Sequence, residues 1–139
     1  MNVALTILGG LALLVLGQIL IRSFIDPIYK LREIRGKIAD ALIFHASMYM
    51  NPSPRFIDDE IKATRNALRS LGAQLEAKSH AIPFYRFFVF LRAVPSHDAI
   101  NRARSGLIGL SNSLQSDHVE HNERRRDDII DALNLKISE

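Results

Sequence analysis

Cysteine is absent from the chain, and so is tryptophan. Without a thiol there is no cysteine nucleophile and no lipoprotein-type cleavage and acylation, and the chain is compatible with a reducing compartment. No G-x-S-x-G, Walker-type or G-x-G-x-x-G pattern occurs either, so the motifs that expose a nucleophile or cradle a phosphate are missing. Gly9 and Gly10 fall in an apolar run, and Gly106 and Gly109 fall in a helical pattern. Charge of one sign is also lacking. Acids and bases interleave to a net +3, with a pI near 9.5. That mild basic bias suits an anionic membrane surface and is too weak to imply nucleic acid. These absences assign no catalytic residue, no cofactor and no enzymatic activity.

The longest absence of charge is Val3 to Ile21, where Thr6 and Gln18 are the only polar side chains. As a helix this stretch is roughly 28 Å long, close to the ~30 Å hydrocarbon core of a bilayer. A cleaved signal peptide calls for a basic n-region and a small-x-small site, but only Met1 and Asn2 precede the run and no A-x-A pattern follows it. A buried core helix of this length and uniformity does not suit a small domain. The run therefore reads as a transmembrane anchor over residues 1–25. Arg22, Lys30, Arg32, Arg35 and Lys37 follow it, which places the C-terminal part in the cytoplasm and the N-terminus outside. The expected address is a bacterial-type inner membrane or another cellular membrane. Gly10 and Gly17 share one face of the span, and Gln18 can hydrogen-bond across a helix pair, so this face is a candidate for self-association.

Beyond the anchor the pattern is all-α: a cytoplasmic bundle of four or five amphipathic helices over 26–116, then a charged C-terminal helix over 117–139. Asp26-Pro27 either starts a helix, with Asp26 as N-cap, or kinks a span that runs through it. Ile28, Leu31, Ile34, Ile38, Leu42, His45 and Tyr49 recur at helical spacing to about Met50. Asn51-Pro52-Ser53-Pro54 stops that helix. The next helix is expected from about Arg55 to Ser79, burying Ile57, Ile61, Leu68, Leu71 and Leu75, with Lys62, Arg65 and Arg69 as a solvated basic face.

Pro83 opens a stretch dense in aromatic residues, Phe84 to Phe90. It is too short to cross a bilayer, and Arg86 and Arg92 give it little of the polar face of an interfacial helix. Core or partner-covered is the expectation, with Phe84, Phe87 and Phe88 as interaction-surface candidates. Pro95-Ser96 should cap a helix from His97 to about Leu114. Its small residues Ala99, Ala103, Gly106, Gly109 and Ser113 are expected to receive the bulky aromatic helix in a hairpin. Ser111, Asn112 and Ser113 read as an exposed, fraying C-terminus, with a ligand or interhelical polar contact as the alternative. The last helix, with Ile129, Ile130, Leu133 and Ile137 apolar, is expected to project and pack on a neighbouring copy.

Two ligand readings arise. The helix N-terminus after Ser96, flanked by Arg92 and by Arg102 or Arg104, is a candidate anion site, although arginines solvated or snorkelling over the aromatic helix are the commoner arrangement. His118 and His121, with Asp117 and Glu120 beside them, are too few to assign a metal site. The expected function is that of a non-enzymatic anchored accessory subunit or scaffold. Its partners are the lipid bilayer and further copies of itself or a larger membrane complex. The alternative is an oligomeric membrane effector gated by a phosphate-bearing ligand.

Overall fold

The computed structural model describes residues 2–51, 53, 55–114 and 118–137. The chain is all-α. Helix α1 (Asn2–Leu20) passes through a five-residue π-helical turn (Ile21–Ile25) into α2 (Asp26–Phe44), giving one helical rod of 43 residues. No residue of α1 is buried. By length and composition it fits a membrane anchor, and its place near the N-terminus fits a signal sequence as well.

Asp26 is not an N-cap. Its backbone N–H bonds to the carbonyl of Ile21, five residues back, and the residue before it is itself helical. The wide turn explains how the rod survives Pro27, which supplies no N–H and whose ring would crowd an ordinary helical carbonyl.

The rest of α2 buries Leu31, Ile34, Ile38, Ala41 and Leu42. At His45 the helix breaks and restarts as α3 (Ala46–Met50), which buries Tyr49. Pro52 and Pro54, the expected stop, lie outside the described residues. Next come α4 (Asp58–His80), α5 (Tyr85–Phe90), α6 (His97–Asn112) and α7 (Val119–Leu133). Asp58, Asp59 and Glu60 occupy the first turn of α4, and Lys78 and His80 the last, both favourable to the helix dipole. Ile57 lies just outside α4 and is exposed, and Thr64, Gly72 and Ser79 join the buried stripe instead.

Helix α6 packs against both α4 and α7, and α2 packs against α4. The hairpin expected between α5 and the small-residue face of α6 is not formed. A Cβ added at Gly106 would stand 2.6 Å from Ile129 Cγ1, and one added at Gly109 would stand 2.7 Å from Arg125 Nε. Both glycines therefore serve the close approach of α7. That also corrects the expectation that the last helix projects: Asn122, Ile129, Ala132 and Leu133 are buried in the chain's own core. Asp117, the expected start of this helix, lies outside the described residues.

Candidate functional site

Around the buried C-terminal end of α6 the polar groups are paired. Asn122 Nδ2 donates to the carbonyls of Tyr49 (2.9 Å) and Ser113 (3.3 Å). Its Oδ1 lies 2.5 Å from the Ser113 hydroxyl, and Arg125 donates to that hydroxyl at 3.0 Å. From α4, Arg65 Nε donates to the Ser111 carbonyl (3.2 Å), and Arg69 donates to Ser111 Oγ (3.3 Å) and Asn112 Oδ1 (2.6 Å). This end of α6 is thus not frayed: Asn112 is exposed, but Ser111 is buried and both arginines hold it. Arg65 and Arg69 do not form a merely solvated face. They satisfy acceptor groups that a helix end leaves over. The network ties α3, α4 and α7 to the end of α6.

A different end of the bundle offers open space. Arg35, Arg92, Ser96, Val89, Leu133 and Asn134 line a cleft of about 240 Å³ between α2, the α5–α6 connection and the end of α7. Ser96 is the N-cap of α6, as its sequence position predicts, and accepts from the Ala99 N–H at 3.2 Å. Arg92 holds a left-handed backbone (φ 55°). Its N–H bonds to the Val89 carbonyl and that of Ala93 bonds to the Phe88 carbonyl, which is the Schellman closure of α5. Arg35 reaches across from α2 to the carbonyls of Leu133 and Asn134, where a cation suits the negative end of α7. Its Nε is buried with no hydrogen-bond partner. Burial, then the neighbouring charge of Arg32, lowers the Arg35 pKa.

Arg102 is not part of this cleft. It lines another, of about 410 Å³, with Asn101, Ser105, Arg125 and Asp128. Of the three anion-site candidates the fold brings together Arg92 and Ser96, and it adds Arg35, which sequence reasoning passed over. The available signal was position: Arg35 lies one turn beyond Leu31, on the border of the buried stripe of α2.

Helix α5 is core on one side only. Phe84, just before it, Phe87 and Phe90 are exposed, whereas Phe88 and Val89 pack partly buried against the core, and Tyr85 is buried and donates to the Pro95 carbonyl at 2.6 Å. Burial pushes the Tyr85 pKa up to about 12, so the phenol remains a donor throughout the physiological range. The Phe24 ring, in the π-helical turn, lies 6.2 Å from those of both Phe84 and Phe88. Phe24 was the other omission of sequence reasoning. In α1, Gly10 and Gly17 have no atom within 4 Å of an added Cβ, and Gln18 is exposed, so this face is open in the single chain.

Elsewhere, His45 is half-buried, with Nδ1 3.1 Å from Thr64 Oγ1, in keeping with a satisfied core residue. The rings of His118 and His121 lie 5.7 Å apart, and among the described residues no group of three metal-ligating side chains occurs. Comparison with protein-family models, with curated proteins and with solved structures finds no match to this chain.

Proposed function

We propose that the chain is a non-enzymatic, single-pass membrane-anchored interaction protein, an accessory subunit or scaffold that self-associates through its helices. The observation that carries this reading is the unbroken rod: a helix that buries nothing continues directly into the helix whose Leu31, Ile34, Ile38 and Leu42 build the core. A cleaved leader would end before the folded domain. Here Phe24, within the connecting turn, is itself tied to α5. The basic residues that follow the span support a cytoplasmic bundle. The open face of Gly10, Gly17 and Gln18 supports helix–helix association in the bilayer, where small residues let backbones approach.

The test is the mass of the full-length chain in lipid nanodiscs, compared with a variant carrying Gly10→Leu and Gly17→Leu. Self-association predicts a multimer that the leucines dissociate. A single copy unchanged by the leucines overturns it, and release of the chain from carbonate-washed membranes overturns the anchor.

A second reading rests on the unpartnered Nε of Arg35 in the cleft shared with Arg92 and Ser96. In that reading the bundle binds a phosphate-bearing ligand, and an oligomeric effector responds to it. A thermal shift with a nucleotide, lost in Arg92→Ala, supports it. The same shift in both proteins, or in neither, overturns it.

A further inference from the structure

The exposed rings of α5 lie beside the exit of the apolar helix. Phe24 is three residues past Ile21, so its Cα stands about 5 Å along the rod from the end of the apolar run. Phe84 and Phe88 meet it there. Around that contact Phe84 (75% exposed), Phe87 (56%), Phe90 (82%) and Leu91 (54%) offer their side chains to solvent. With α1 this makes an apolar surface that is continuous from the span, through Phe24, onto the bundle. No acidic residue occurs between Pro83 and Ser96, whereas Arg86 and Arg92 are both exposed, as is Arg22 on the rod.

We propose that α5 is a second membrane contact, lying in the headgroup and upper acyl region of the leaflet that α1 leaves. This rests on the reading of α1 as a membrane span. The occupant of the aromatic face is lipid, for two reasons. The height of α5 along the rod, about 5 Å past the end of the apolar run, puts it within the interfacial layer of about 5–8 Å that flanks the hydrocarbon core on each side. Its flanking arginines also match anionic headgroups. The modest polar face counts against an autonomous surface-seeking helix. It does not count against one that the rod delivers to the interface, because Tyr85 and the Phe24 stack already fix which side faces the bundle. Two contacts on one rigid body set the tilt of the bundle against the membrane, which one helix alone leaves free.

The absence of tryptophan makes the test clean. Full-length single-tryptophan variants Leu11→Trp, Phe90→Trp and Phe44→Trp are reconstituted in phosphatidylcholine–phosphatidylglycerol vesicles whose acyl chains are brominated near the headgroup or near the chain end. All three positions are exposed, and Phe44 lies about 30 Å further along the rod than Phe24. The expected result is loss of Leu11→Trp emission, most strongly with deep bromines. Phe90→Trp should lose emission with shallow bromines and little with deep ones, and Phe44→Trp should lose none. Quenching at Leu11→Trp with none at Phe90→Trp overturns the second contact and leaves the anchor standing. If the unquenched Phe90→Trp emission is blue-shifted, the face is covered by protein, a second copy included; if red-shifted, it is in water. An unquenched Leu11→Trp overturns the anchor, and the second membrane contact with it.

Discussion

At Gly106 the absence of a side chain is a requirement of packing, whereas at Gly36 it is not. An alanine Cβ at position 106 would sit 2.6 Å from Ile129 Cγ1 and 3.3 Å from the Arg125 carbonyl, and the latter cannot swing aside. Gly106→Ala should therefore destabilise the bundle by about 1–3 kcal/mol, as overpacking of a core does. Gly36, exposed in mid-helix with nothing within 4 Å of its Cβ, is open to improvement. Gly36→Ala should add about 0.5–1 kcal/mol through backbone entropy. Urea unfolding of the two variants in detergent, followed by circular dichroism, should move the midpoint in opposite directions. His45 makes a pH prediction. Burial lowers its pKa from 6.5, with Asp40 opposing the shift. As pH falls, the unfolded chain takes up this proton before the folded one does, so stability is lost from about pH 6.5 downward. His45→Gln should flatten that part of the melting-temperature profile and leave the values above neutral pH nearly parallel.

The elements divide into those whose cause is local and those whose cause is a distant partner, and only the first kind was legible. The apolar spacing along α2, the acidic first turn of α4 and the Ser96 cap are properties of a few adjacent residues, and the fold reproduces them. The mate of the Gly106–Gly109 face is not such a property. Sequence proximity favoured α5, but α5 has only six residues, and the bulk that fills the groove comes from Ile129 and Arg125. Arg65 and Arg69 misled in the same way, because the carbonyl and hydroxyl they hold belong to a helix more than forty residues on. The closures of α5 and α7 were readable in part. Both end in Schellman motifs with a left-handed residue, Arg92 and Asn134 respectively. Asparagine is a usual choice there, and arginine is not. Arg92→Gly should relieve the left-handed strain and raise stability by about 1 kcal/mol, measured by thermal unfolding. If the cleft serves a phosphate-bearing ligand, the same variant should lose the ligand-induced shift while melting higher. A lower melting temperature would show that the Arg92 side chain stabilises the fold by more than its backbone costs.

At the scale of the whole molecule, if α1 is the proposed membrane span, the rod converts geometry in the membrane into geometry of the bundle, and rotation and height can be varied separately. Inserting two polar helix-forming residues between Leu20 and Ile21 turns the bundle by about 200° relative to the span and lifts it by only about 3 Å. Inserting seven turns it by only about 20° but lifts it by about 10 Å. Both insertions precede the π-helical turn, so the bond from Asp26 to Ile21 that accommodates Pro27 is retained. Lipid is the same in every direction around α1, and a protein neighbour is not. The two-residue insertion should therefore leave shallow-bromine quenching of Phe90→Trp in place while disturbing any multimer that requires the Gly10–Gly17 face and the bundle to meet a neighbour together. The seven-residue insertion should do the reverse, abolishing the quenching while keeping the multimer. If both insertions abolish quenching equally, height is not what brings α5 to the lipid, and the aromatic face must answer to a directional protein contact instead.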